Sequence, residues 1–392
     1  MFKKYFALFL AAFVFLTCLN VKTAVMAVKD TSDDDIFSSA EAGAALLAES
    51  HTGRILKQSD ADKKLPAAGL AKLPALLIIC DAFDSGKLND KTVVSVSDEA
   101  AGIKGTTAFL KSGEQMNAYD MMMAAVMINA GDAIYSLACA AAGTARNAAE
   151  TINERLKSLE ISAVYDSADL CGGNIVLSCR DLSKIGRELL KSRTYNRFGT
   201  KFYETITHNT GAGPTELANP NKLIRQYSGC TGLATGSSNA AGYCGVFSAT
   251  RGNTSYICVV MGAADSRTRF RIGSELLDSG FAAYKSISLA KKGDVIGSIR
   301  VTGSLIETVD MVIKEDVYAL IENSDSQFKT VKELPEYLEA PVDKDGIIGK
   351  ILYTDSAGNP IGESVVISSS AVPKAGFMDY VKFIIGWWMC FV

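Results

Sequence analysis

The chain has 392 residues, enough for two or three domains, and its 48% apolar and 21% charged composition is that of an ordinary globular protein with a real core. A net charge of −3 and a pI near 5.7 leave no electrostatic footprint for nucleic acid. Two histidines, His51 and His208, and no Cys-x-x-Cys spacing argue against a zinc site, and no metal or cofactor is expected.

Lys3 and Lys4 precede an almost unbroken apolar stretch over residues 5–19, and Val25-Met26-Ala27 offers the small residues that a signal peptidase reads. Residues 1–27 therefore read as a cleaved secretory signal, since the apolar run is short for an uncleaved span. Residues 28–37, with Asp33-Asp34-Asp35, form a polar acidic leader. Eight of the nine cysteines lie beyond the signal. Export permits disulfides, but eight cysteines allow 105 complete pairings, and connectivity is not readable.

Short apolar segments at 44–49 and 54–56 flank His51-Thr52-Gly53, a hairpin pattern in which His51 is a turn residue rather than a catalytic base. From Leu65 the spacing becomes helical, with Pro66 in the first turn and Leu70, Leu73, Leu76, Leu77 and Cys80 on one face. Pro74 is discordant, because it removes a backbone donor inside that run. Residues 121–142 predict a second apolar helical region whose methionines fill the core. Residues 148–160 and 180–191 predict amphipathic helices.

Beyond Gly229 the period shifts to strands at 242–248 and 254–261, joined by a Gly252-Asn253 turn, and a helix over 267–284 follows. The first domain, residues 38–285, thus has strands at both ends and helices between. Residues 286–375 alternate short strand-like segments (295–301, 308–313, 317–320 and 347–352) with Gly, Asp and Asn turns, the pattern of a small all-β module. Residues 376–392 are apolar nearly all round but short for a span, and Trp387 and Trp388 suit a bilayer interface. They predict a membrane-associating helix rather than a buried terminal segment.

Several stretches, in order, resemble the serine-type D-alanyl-D-alanine carboxypeptidases, the low-molecular-mass penicillin-binding proteins. Thr52-Gly53-Arg54-Ile55-Leu56 is similar to that family's opening, and Leu65-Pro66-Ala67 to the lead-in of its nucleophile helix. Phe109-Leu110-Lys111-Ser112-Gly113-Glu114 and Gly131-Asp132-Ala133 resemble the approach to and close of its second motif. Asn219-Pro220-Asn221-Lys222-Leu223 and Ala241-Gly242-Tyr243-Cys244 flank its third. Glu339-Ala340-Pro341-Val342 and Ile348-Gly349-Lys350 resemble its second domain. The resemblance covers residues 40–375. It implies an α/β (α+β) penicillin-binding, β-lactamase-like transpeptidase domain, an antiparallel sheet with helices, followed by a small all-β domain.

The family's chemistry, as the resemblance implies it, is acyl transfer: a Ser attacks the carbonyl between two terminal D-alanines, and a Lys three residues on takes its proton. A Ser-x-Asn assists proton traffic, a Lys-Thr-Gly strand supplies a cation for the substrate carboxylate, and backbone N–H groups form the oxyanion hole. In this sequence the Ser-x-x-Lys frame falls on Ala68-Gly69-Leu70-Ala71, with Lys72 one residue late and about 100° round a helix, turned away from the site. The second motif falls on Asn129-Ala130-Gly131 and the third on Ala234-Thr235-Gly236; a rival placement on Cys230-Thr231-Gly232 is four residues too far from Ala241-Gly242.

All five polar positions, Ala68, Ala71, Asn129, Gly131 and Ala234, have changed. Losing the nucleophile alone costs on the order of a million-fold in a serine hydrolase, so the family reaction is expected to be absent. The oxyanion donors would be the backbone of Ala68 and Ser237, and Thr235, Gly236 and Ser237 remain as substrate-binding positions. Ser237, Ser238 and Cys230 are other nucleophile types, and His208, Lys72 and Lys222 other bases, but nothing in the sequence pairs them. Cys230 and Cys244 read as buried or disulfide-paired, and Asp132 as an anchor for its loop.

The expectation is a wall-facing protein on the outer face of the cytoplasmic membrane, inactive, binding peptidoglycan stem peptides or a cell-wall protein. The alternatives are an active carboxypeptidase with unconventional catalytic residues and a non-binding scaffold for wall enzymes.

Overall fold

The computed structural model describes residues 41–211, 213–323, 327–356 and 358–389; the expected signal and acidic leader lie outside the described residues. The hairpin strands β1 (Ala44–Glu49) and β2 (Ile55–Ser59) join β3 (Cys230–Ser238), β4 (Gly242–Arg251) and β5 (Thr254–Ala263) in an antiparallel sheet of order β2-β1-β5-β4-β3. β1 pairs with β5 from Ala44 opposite Met261 to Glu49 opposite Tyr256, so the sheet ties together the two ends of the domain's sequence. Every residue of β1 is buried, and its apolar run has no alternation because both sheet faces are covered.

Helices approach those faces through glycine. A Cβ on Gly186, in the helix Cys179–Lys191, would lie 2.3 Å from Ile257 Cδ1; one on Gly273, in the helix Ser266–Ala283, would lie 2.7 Å from Phe247 Cδ2. Four further helices, α1 (Leu73–Asp84), α2 (Ala118–Ile128), α3 (Gly131–Ala142) and α4 (Ala145–Ser158), form a lobe on the Gly186 side. Met121, Met122, Met123 and Met127 are core residues there.

Two details differ from the sequence reading. Leu65 and Pro66 are extended and pair with Leu177 and Val176, and the helix proper begins only at Leu73. Pro74 is therefore in the first turn, where its missing N–H costs nothing. Residues 121–142 belong to two helices, because Asn129 ends the first in the left-handed conformation (φ 57°), which Asn tolerates better than most residues. For Cys230 and Cys244, which the sequence left as buried or disulfide-paired, the first holds: both are buried free thiols, as are Cys80, Cys179 and Cys258.

The second domain is all-β. Tyr284–Ala290 pairs with Val317–Glu322, and a six-stranded sheet surrounds a small core that includes Ile299, Val309, Ile351 and Val366. Three of its strands were not anticipated: Phe328–Glu333, Tyr337–Glu339 and Pro360–Ser368. The first is a fully exposed edge strand, so no apolar alternation marks it. One buried carboxylate ties the domains: Glu49 accepts from the N–H groups of His51 and Thr52, the Thr52 hydroxyl and the Ser286 hydroxyl, while His51 stacks on Tyr318 at 4.3 Å. The described chain ends in the helix Phe377–Met389, where Phe377, Met378, Phe383, Ile384, Ile385 and Trp388 are exposed.

Candidate functional site

A cleft of about 1030 Å³ opens between the edge strand β3 and the helical lobe. The 3₁₀ turn Ala68–Lys72, which precedes α1, contributes Ala68, Gly69 and Lys72 to its lining. In a 3₁₀ turn residues i and i+3 eclipse, so Gly69 and Lys72 share a side. Ala68 enters with φ 48°, a left-handed conformation that costs an alanine about 1 kcal/mol. This one-residue kink sets Gly69 between the two walls. A Cβ built on Gly69 would lie 3.3 Å from Asn129 Nδ2 and 3.4 Å from Gly236 Cα.

Lys72 does not face away. Its ammonium donates to the carbonyls of Asn129 (3.0 Å) and Thr106 (3.3 Å), and the residue is only 8% exposed. The expectation failed because it turned an α-helix by 100° from Ala68, whereas the chain forms a tighter turn displaced by one residue. Burial lowers the Lys72 pKa, with Cys171 and Asp132 acting in the opposite sense. Among the described residues no carboxylate lies within salt-bridge distance of Nζ. Ala71 faces the other way, fully buried beneath Tyr165, whose hydroxyl donates to the Ala71 carbonyl at 2.7 Å.

The corner between α2 and α3 supplies the second wall. Asn129 Nδ2 donates to the Gly69 carbonyl at 2.5 Å, while its Oδ1, in a residue 6% exposed, has no partner among the described residues. Gly131 is not in the lining: a Cβ there would sit 2.7 Å from Ile103 Cγ2 and 3.1 Å from Lys72 Nζ, so that space is filled. Asp132 anchors the corner, as expected. Its carboxylate, 1% exposed, accepts from the N–H groups of Ala108, Leu110 and Ala133 at 2.8–3.0 Å.

On the third wall Thr235, Gly236 and Ser237 line the cleft, and Ala234 does not. Gly236 has to be glycine, because its Cβ would meet the Gly69 nitrogen at 2.6 Å. As the outer strand of the sheet, β3 has one row of backbone groups that no further strand pairs.

Among the lining residues missed in the sequence are Arg269 and Cys171. Arg269, 5% exposed, donates to the carbonyls of Gly236 (3.2 Å) and Cys244 (3.0 Å), leaves Nε without a partner among the described residues, and packs over Phe270 and Tyr243. Burial pushes its pKa down to about 10. Its place three and four residues before Ile272 and Gly273, on the buried stripe, was the available signal, and Arg267 and Arg271 lie off it. Cys171 also lines the cleft, its thiol 3.6 Å from the Gly131 carbonyl. Burial pushes its pKa to about 11, opposed by Lys72.

Of the other candidates, Ser238 and Lys222 lie on the lining and Cys230 does not. His208 is buried elsewhere, with Nδ1 2.9 Å from Glu114 Oε1 and Nε2 2.8 Å from Thr215 Oγ1. The arrangement therefore offers a buried ammonium, a buried guanidinium and an amide around a glycine.

A family model described as D-alanyl-D-alanine carboxypeptidase matches residues 27–265, and one for the C-terminal domain of penicillin-binding protein 5 matches residues 284–374. The chain is 27% identical to the D-alanyl-D-alanine carboxypeptidase DacF of Bacillus subtilis, over 90% of this chain and 91% of that protein. It is 25% identical to the D-alanyl-D-alanine carboxypeptidase DacA of Escherichia coli, over 94% and 92%. Among solved structures, penicillin binding protein 5 from Haemophilus influenzae superposes with a TM-score of 0.70 at 24% identity, covering 86% of this chain and 99% of that one, a likeness of fold.

Proposed function

Because the chain belongs to the D-alanyl-D-alanine carboxypeptidase family, we propose that this cell-wall protein binds peptidoglycan stem peptides without hydrolysing them. The observation that carries this reading is Gly69. It occupies the point between Lys72, Asn129 and Gly236 from which a one-carbon side chain would face both walls. We assign the family's Ser-x-x-Lys frame to Gly69-Leu70-Ala71-Lys72, with the base retained and the nucleophile gone. A lysine without a hydroxyl to deprotonate does no serine chemistry. Around it the site has settled into its altered form, since Ile103 and Lys72 fill the space that the family's Asn would take at Gly131.

Binding has clearer support. Arg269 holds the Gly236 and Cys244 carbonyls with its buried guanidinium and so fixes the β3 edge along which a peptide would lie. Thr235 and Ser237 offer polar groups beside it.

One observation favours a second reading, an active enzyme with unconventional residues: Cys171 shares the cleft with Lys72. Its raised pKa weighs against that role, because the thiolate is the nucleophile.

We further place the protein outside the cytoplasmic membrane, with the helix Phe377–Met389 lying on that surface. Thirteen residues span about 20 Å, short of the hydrocarbon core, and no described helix is long and apolar enough to cross a membrane.

The decisive experiment offers the full chain an acyl-D-Ala-D-Ala pentapeptide, following D-alanine release by coupled assay and binding by calorimetry. Heat of binding without release is the expected result. Release that disappears in Cys171→Ala would establish the thiol enzyme instead, and neither binding nor release would leave a scaffold.

A further inference from the structure

Resting on that stem-peptide reading, the geometry points to a ligand one residue shorter than a carboxypeptidase's substrate: we propose that the pocket recognises the trimmed stem, a peptide whose terminal carboxylate lies at Gly69 and Lys72. In an acyl-transfer site the scissile group arrives as a neutral amide, and negative charge develops only during reaction. Here the side chain that would start that reaction is absent, while the donors around its position persist. Lys72 Nζ is held by two carbonyl oxygens and no carboxylate. Asp132, the nearby acid that acts on it, has its oxygens on the backbone N–H groups of Ala108, Leu110 and Ala133.

The other charged and titratable groups lining the cleft are Glu99, Lys104, Tyr135, Asp169, Lys222, Tyr243 and Arg269, besides Cys171. No bond from any of them to the Lys72 ammonium is present among the described residues. A buried ammonium with only neutral acceptors favours an anion over an amide. Gly69 leaves room for one. The missing side chain opens the space between Asn129 and Gly236, and the unpaired backbone row of β3 flanks it.

A peptide ending there delivers its charge to Lys72. A peptide longer by one D-alanine puts a neutral amide against Lys72 and carries its carboxylate onward along the cleft. The pocket thus discriminates between the product and the substrate of its catalytic relatives, as a reader of whether trimming has occurred.

Calorimetry on the full chain with three probes tests this: diacetyl-Lys-D-Ala, its C-terminal amide, and diacetyl-Lys-D-Ala-D-Ala. The acid should bind about tenfold tighter than either of the others, the worth of one charge-assisted hydrogen bond. In Lys72→Met that advantage should vanish while binding of the longer peptide holds. Equal or tighter binding of the longer peptide or of the amide overturns the proposal without the need for any variant. So does a Lys72→Met protein that weakens all three probes alike. If none of the probes binds, it is the stem-peptide reading itself that fails.

Discussion

Two walls of the same cleft, far apart in sequence, are built on opposite principles. At the α2–α3 corner every oxygen of the Asp132 carboxylate is used, on backbone N–H groups that would otherwise be buried and unpaired. At the turn Ala68–Lys72 polar space is left open: among the described residues it has an ammonium without a carboxylate, and a glycine where a side chain would fit. The difference separates what the fold requires from what the chemistry required. A group that satisfies backbone is needed whether or not the site works; a group that serves only a reaction is held by nothing else in the fold.

The sharpest way to break the comparison is Asp132→Ala. It strands the buried N–H groups of Ala108 and Leu110, and should cost about 3 kcal/mol or more in chemical denaturation. A loss below about 1 kcal/mol would erase the contrast between the walls.

Next comes Gly236→Ala, whose Cβ would meet the Gly69 nitrogen at 2.6 Å. Overpacking of this kind should cost about 1–3 kcal/mol and abolish peptide binding, since it closes the cleft where both walls meet.

Lys72→Met should be mild by comparison. Replacing an unpaired buried ammonium with an apolar chain of similar length should change stability by about 1 kcal/mol or less, toward greater stability. The pH dependence fixes the sign. A lysine whose pKa is lowered by folding binds fewer protons folded than unfolded, so its contribution to stability rises with pH as the pH climbs through the folded value. The advantage of Lys72→Met in melting temperature should therefore be largest on the acid side and shrink toward pH 10.

The smallest effect expected is from Ala68→Gly. It relieves the left-handed alanine and should gain about 0.5 kcal/mol, less than the strain because glycine has more freedom to lose on folding. A loss would show that the methyl group of Ala68 supports the turn.

The same contrast explains what was legible in advance. The hairpin, the strands Gly242–Arg251 and Thr254–Ala263 and the methionine core all follow from periodicity or turn chemistry, which are local; that Asp132 anchors its loop was also legible, though its partners Ala108 and Leu110 were not. The orientation of Lys72 was not legible, because it depends on one residue, Ala68, adopting a conformation that alanine rarely takes. Nor could the sequence distinguish a helix starting at Pro66 from one starting at Leu73, since either begins with proline in its first turn. Arg269 was readable in principle from its place on an apolar stripe. Cys171 was not: nothing local separates it from the other cysteines, and only the packing of residues far apart in sequence brings it beside Lys72.

The Glu49 knot has a consequence of a different kind. It clamps the hairpin turn to two strands of the second domain, so the two domains are joined by a bracket as well as by the chain. If the far end of that second domain rests on a surface through its exposed helix, the clamp sets the heading of the cleft above it. Cutting the clamp would leave the grip on a peptide unchanged and alter its aim: which strands of the surrounding mesh the opening can meet.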